Sequence, residues 1–325
     1  MACCASGGSG DRVDAHWQGG CAARRRNMRI LLLGDDRAKA DAYRRAGSRL
    51  PVAPRFRYEP SFTPRAISRA MKPFRDATPT VVLMRQVGVD TFRQLAEQNA
   101  RILYDPPTFG FPICTWNLIN IVERLGTWTL PMMPLRMMPV LQRIKEIVNA
   151  GSLGQLLYLK ATYNERLPSD SSRIASALVA RGCHAIDLVN WLLGDDYADV
   201  QVVSGKGLSN AADISEDMAI LSFLMEDKSY ATVDISWSLP SAYPKRASIT
   251  IEMAGTGGNI RSDALKQSLH LSSAEPSREL YWGGDIYTEA LRILTAADDA
   301  PPPVTLEDLG HAQNLNEDLI YATVS

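Results

Sequence analysis

From Arg29 to Gly126 short apolar runs alternate with stretches of helical length, and that alternation leaves the chain few ways to fold. "RILLL" is an apolar strand, and "RAKADAYRRAG" reads as a helix closed at Gly47. "RFRY" predicts a second strand and "TPRAISRAMKPF" a second helix. "PTVVLMR" is continuously apolar, as strands buried on both faces of a parallel sheet are. "DTFRQLAEQNA" is a helix begun by an Asp cap, "RILYD" the next strand, and "WNLINIVERLG" the last helix of the series. Strictly alternating strands and helices predict a doubly wound parallel sheet.

The remainder follows another pattern. "PVLQRIKEIVNAGSLG" places Val140, Leu141, Ile144, Ile147 and Val148 on one helical face and stops at Gly151. "QLLYLKATYNE" is a strand and "HAIDLVNWLLG" a compact apolar helix ended by Gly194. "VQVVSGKG", "DMAILSFLM", "SYATVDISWSL", "RASITIEMAG" and "SLHLSS" then read as strands joined by turns, which predicts a mostly antiparallel sheet beside the helices. "IYTEALRILTAAD" and "LEDLGHAQNLNEDLIYATV" are closing helices separated by the rigid "PPPVT".

At 325 residues the chain is long enough for two domains. A net charge of −1 favours neither nucleic acid nor a membrane surface, and no apolar run reaches the about 18 residues that span a bilayer. Cys3, Cys4, Cys21, Cys114 and Cys183 form no regular framework, so a reducing, cytoplasmic setting is expected. Residues 1–27 lack periodicity and read as a flexible tail, or as a start placed too early with Met28 the true one. Cys3, Cys4, His16 and Cys21 show no ligand spacing, so no metal is expected.

Four stretches of the second half, in order, resemble the Gfo/Idh/MocA family, the relatives of glucose–fructose oxidoreductase and inositol dehydrogenase. "LQRIKEIVNAGSLGQLLYLKATY" is similar to its helix, G-x-x-G turn and first sheet strand. "GCHAIDLVNWLLGDDYADVQVVSG" is similar to its G-x-H-x-x-D helix and following strand. "IEMAGTGGNIRSD" resembles its late G-x-x-G turn, and "YTEALRILTAADDAPPPVTLEDLGHAQNLNEDLIYA" its two terminal helices. The resemblance implies an α/β plus α+β chain: a Rossmann-like doubly wound parallel sheet over 28–127, then a mostly antiparallel open-sheet α+β domain over 128–325. The C-terminal helices would pack back toward the first domain. Members bind NAD or NADP on the first domain and hold a sugar, polyol or similar polar substrate against the second sheet. A lysine of an E-K-P motif and an Asp-x-x-x-His pair position that substrate and handle its proton.

At these positions the sequence departs from the family. A G-x-G-x-x-G turn works because bare backbone lets a diphosphate reach amides at a helix start. Gly34 is present, but Asp36 and Lys39 stand at the second and third glycine positions. A carboxylate about 4 Å from a diphosphate charge costs about 4 kcal/mol at an effective dielectric of 20, roughly a thousandfold in affinity. Asp35 and Asp36 also suit the helix dipole, and Lys39 reads as a solvated helix face. Glu59 is the candidate ribose ligand, and Arg55 and Arg57 would suit a 2′-phosphate.

"RILYDPP" sets Asp105, Pro106 and Pro107 against Glu, Lys and Pro, and Pro106 has no amine to offer. Ala180 stands four residues before His184 where the family has Asp, with Arg181 beside it. His184 remains, and an imidazole is an acid or base near neutral pH. Asp187 lies one turn on; Cys183 reads as a small buried residue. Arg136, Tyr163, Asn164, Glu165 and Arg166 fall where relatives line the cleft, though a hydrated strand end would look the same. Trp237 and Trp282 would stack on a ring, and Met132, Met133, Met137 and Met138 would form an apolar wall; such residues also pack cores.

All four losses touch hydride transfer. The expectation is therefore a divergent member without NAD(P)-dependent hydride transfer and without a resident cofactor. It would be an enzyme of proton transfer, elimination, isomerisation or cyclisation through His184. Two alternatives stay open: a working oxidoreductase on a sugar, polyol or other polar substrate with NAD or NADP, and a non-catalytic binding protein or partner subunit. Because the family's open sheet face is commonly an interface, the resemblance implies a homodimer or tetramer, or a heteromer with an intact relative.

Overall fold

The computed structural model describes residues 28–74, 78–85, 87–105, 112–167, 176–207, 214–273, 276–296 and 300–324, except the side chains of 112–114 and 324. Residues 1–27, Pro106, Pro107 and the Cys114 side chain, all weighed above, lie outside the described residues.

The first domain contains β1 (Arg29–Leu33), α1 (Arg37–Gly47), β2 (Arg55–Glu59), α2 (Pro64–Met71), β3 (Thr80–Leu83), α3 (Val89–Ala96), β4 (Arg101–Tyr104), α4 (Pro112–Leu125) and β5 (Thr129–Pro131). Its five strands pair in parallel in the order β2-β1-β3-β4-β5. After β1 the chain goes to one side for β2 and returns to the other for β3, so a crevice opens beyond the carboxyl end of β1. Ile30 to Leu33 are fully buried, the burial on both faces that their unbroken apolar run requires. The sheet runs on to Pro131, past the boundary expected at residue 127.

The second domain contains α5 (Pro139–Asn149), β6 (Leu156–Glu165), α6 (Ala177–Leu193), β7 (Tyr197–Gly205), β8 (Met218–Met225), β9 (Tyr230–Ser236), β10 (Ala247–Gly255), β11 (Gly258–Asp263), β12 (Ser268–Ser273) and β13 (Arg278–Tyr281). These strands form one sheet in the order β13-β12-β11-β10-β6-β9-β8-β7, in which β6 and β9 run parallel and the other pairs antiparallel. Helices α5 and α6 cover one face, burying Leu141, Ile144, Ile186 and Val189 with Leu159, Val233 and Ile251 of the sheet. Two helices close the chain, α7 (Ile286–Leu294) and α8 (Leu306–Val324). Ala290, Leu291 and Leu294 of α7 lie in the first domain's core, whereas Ala312 and Leu319 of α8 lie in the second's.

Candidate functional site

The crevice begins where β1 runs into Gly34. Its φ of +149° suits glycine, and a Cβ there would come within 3.1 Å of Met84 Cβ. Asp36 then caps α1: its carboxylate accepts from the Lys39 amide at 2.9 Å, taking one of the helix's free donors for the chain itself. Asp35 pairs with Arg85 at the surface.

Lys39 is not the solvated face its position suggests. Its Nζ reaches Asp105, just past the end of β4, at 3.0 Å. The Tyr43 hydroxyl donates to the same carboxylate oxygen at 3.3 Å. Asp105 is buried, and burial pushes its pKa up while Lys39 pulls it back. A buried carboxylate is costly without a cation, which is why the side chain turns inward. Burial also raises the Tyr43 hydroxyl, whose ring stands edge-on to Tyr287 at 4.9 Å. Glu59 ends β2 opposite Leu33, and its carbonyl accepts from the Gly34 amide at 3.0 Å. Its carboxylate accepts from the Ser61 amide at 3.2 Å and from Arg69 at 3.4 Å.

A dinucleotide's diphosphate needs open amides and close approach at this helix start. Asp36 already holds one amide, and the Lys39 side chain crosses from the third glycine position to β4. Both groups are thus engaged within the chain itself, at the place where a diphosphate would seek them. Glu59, the ribose candidate of the sequence, lies beside the turn, with both carboxylate oxygens bonded within the chain.

On the second domain, Ser176 and Glu216 fix where α6 starts. Ser176 Oγ accepts from the Val179 amide at 2.9 Å, and Glu216 accepts from the amides of Ala177 at 2.9 Å and Leu178 at 2.8 Å. Two turns on, His184 is buried and its Nδ1 has no hydrogen-bond partner among the described residues. Burial, reinforced by Arg181, lowers its pKa to about 3. The near-neutral acid or base expected from sequence is thus corrected to a neutral imidazole, because sequence does not report desolvation.

Arg181 grips Glu165 of β6 with two hydrogen bonds of 2.7 and 3.0 Å, and its guanidinium lies 5.5 Å from the centre of the Tyr163 ring. Burial pushes both the Tyr163 hydroxyl and the Cys183 thiol up to about 12, which leaves the thiol inert as a nucleophile. Tyr163, Glu165, Arg181, Cys183 and His184 therefore share the helix-facing side of the sheet. Asn164 does not join them: strand alternation turns it to the other face, where it accepts from Ser236 at 2.8 Å. Arg166 donates to the Tyr243 carbonyl.

Arg136 and Asp187 direct their hydrogen bonds at each other rather than into a cleft. The pair is buried and bidentate, at 3.0 and 2.6 Å, with Asp308 at 3.4 Å from the same guanidinium and Trp191 beside it. Burial pushes Asp187 up to about 6 against the pull of Arg136. Trp237, Met132, Met133, Met137 and Met138 are core residues, and Trp282 packs against the second core. Tyr43 and Glu216 escaped sequence reading because each meets its partner far along the chain, 62 residues away for Tyr43 and about 40 for Glu216. Among the described residues no group of three His, Cys, Asp or Glu side chains is placed to hold a metal, and no helix is long and apolar enough to cross a membrane.

Residues 141–261 match the GFO/IDH/MocA C-terminal domain. Inositol 2-dehydrogenase 3 of Saccharopolyspora erythraea is 27% identical over 120 residues, which is 37% of this chain and 34% of that protein; the match thus spans about a third of the relative's length. Levoglucosan dehydrogenase, solved with NADH and L-sorbose, superposes with a TM-score of 0.71 at 14% identity, covering 92% of this chain and 97% of its own. An Agrobacterium radiobacter oxidoreductase solved with NAD+, L-tartaric acid and magnesium gives 0.70 at 14% identity, with the same coverage.

Proposed function

The chain belongs to the Gfo/Idh/MocA family, and from that premise we propose that it acts on a small polar molecule without nicotinamide hydride transfer, holding it where β6 meets α6 at His184. The observation that carries this reading is the Lys39–Asp105 ion pair across the crevice, where a dinucleotide's diphosphate would lie. A neutral imidazole donates a hydrogen bond from one nitrogen and accepts at the other. Such a group polarises a carbonyl oxygen by hydrogen bonding, which favours loss of a proton from the adjacent carbon in an elimination, isomerisation or cyclisation. The Arg181–Glu165 pair cancels its own charge and braces Tyr163, so the surroundings of His184 favour a neutral ligand over an acid.

A second reading, an NAD-dependent dehydrogenase of a polyol or sugar, draws on Glu59 beside the Gly34 turn and on structural neighbours solved with NADH and NAD+. Calorimetric titration with NAD(H) and NADP(H) separates the two. Cofactor-free action predicts no saturable binding below about 1 mM, whereas micromolar binding establishes the dehydrogenase reading. Thermal-shift screening of neutral polyols, ketoses and lactones then finds ligands, and His184→Ala is expected to abolish their stabilisation.

A further inference from the structure

The first domain's crevice keeps part of what a dinucleotide uses. Gly34 still makes the tight turn against Met84, and β2 and β3 still flank β1 to open the switch point. Glu59 still ends β2 beside that turn, its carbonyl bonded to the Gly34 amide. What stands in the way is a charge pair, Lys39 with Asp105, with Tyr43 behind it and the Asp36 carboxylate on the Lys39 amide.

We infer that this pair is a gate: the crevice is a latent NAD(H) site that Lys39 and Asp105 hold shut. The inference rests on the reading of the native protein as working without a dinucleotide, and it assigns the residues responsible. A diphosphate that enters must draw the Lys39 ammonium away and leave Asp105, whose side chain is 11% exposed, as an uncompensated buried charge. The gate is closed by that stranded carboxylate more than by the lysine. Replacing Asp105 with the isosteric amide preserves an acceptor for Tyr43 and frees Lys39, which then faces the diphosphate as an attracting cation. Glu59 sets the choice of nucleotide: a carboxylate accepts from the ribose hydroxyls and repels a 2′-phosphate.

The test is NADH titration, by calorimetry and nucleotide fluorescence, of the full-length protein and three variants. Wild type is expected to show no saturation below about 1 mM, and Asp105→Asn to saturate at least about tenfold lower. Lys39→Ala stays silent, because it leaves the Asp105 carboxylate at the opening. Lys39→Ala/Asp105→Asn regains binding, more weakly than Asp105→Asn alone. NADPH binds each responsive variant at least about tenfold more weakly than NADH. Silence of Asp105→Asn and of the double variant, with folding confirmed by thermal unfolding, overturns the gate and leaves the cofactor-free function standing. Micromolar binding by wild type overturns both. Failure of both variants to fold also overturns the gate, since the pair is then a brace the fold depends on.

Discussion

His184 and Asp187 lie one helical turn apart, and burial moves their pKa values in opposite directions, to about 3 and about 6. Between pH 3 and 6.5 the unfolded chain protonates its histidine while the folded chain does not, so this group costs stability as pH falls through that window. Asp187 does the reverse: from pH 3.8 to about 6 the folded chain holds the proton, so its contribution to stability falls as pH rises. Over their common range the two oppose each other. Removing the histidine should unmask the aspartate. Relative to wild type, His184→Gln is expected to gain stability steadily as pH drops from 6.5 to 4, by up to roughly a tenfold change in the unfolding constant per pH unit. Urea unfolding of both proteins across that range measures it. A difference that does not change with pH would mean a solvated imidazole and would remove the neutral group on which the proposed chemistry depends.

At the scale of elements, α6 owes its position to the close passage of α8. A Cβ added at Gly182 would fall on Asn316 Oδ1 and lie 3.0 Å from Leu178 Cδ1. Alanine in a helix interior gains about 1 kcal/mol over glycine, while overpacking costs about 1–3 kcal/mol, so Gly182→Ala should lower the melting temperature by a few degrees. Adding Asn316→Ala removes the clash, and the double variant should melt above the single one by calorimetry; equal melting temperatures would show that α8 yields freely. This contact also marks what sequence discloses. The ends of α1 were legible, because Asp36 caps locally and the apolar spacing stops at Gly47. So was the order of the two sheets, from the change of pattern after Gly126. Not every strand was: β5 is three residues running into prolines, β11 entered only as part of a turn, and β13, "RELY", is a mostly exposed charged edge without apolar alternation. The start of α6 was placed too late, since Gly182 interrupts its helical pattern and Glu216, which accepts from its first amides, comes from a distant segment. In the candidate site, residue types were readable and partners were not. Lys39 reads as a surface lysine until β4 brings Asp105 beneath it.

At the scale of the molecule, two separate cores must act as one body for any cleft between them to keep its shape. Helix α7 inserts Ala290 and Leu291 into the first core, and α4 meets α8 through Thr115–Gln313 at 2.7 Å and Trp116–Asn314 at 3.2 Å. A further tie is Arg136, on the segment joining the domains, which binds Asp187 of α6 and approaches Asp308 of α8. Of these ties it is the one built on a buried charge pair, Arg136 with Asp187. Deleting one member of a buried pair costs about 3–5 kcal/mol because the other is left unpaired, whereas replacing both with apolar groups is often close to neutral. Arg136→Met should therefore destabilise strongly and broaden thermal unfolding, or split it into two transitions as the cores uncouple. Arg136→Met/Asp187→Leu should recover most of the lost stability, since no charge is then stranded. If scanning calorimetry finds the double variant as unstable as the single, the pair does more than neutralise itself, and Asp308 is the group to examine next. A single sharp transition in Arg136→Met at the wild-type temperature would show that α7 and the α4–α8 contacts suffice to hold the domains together.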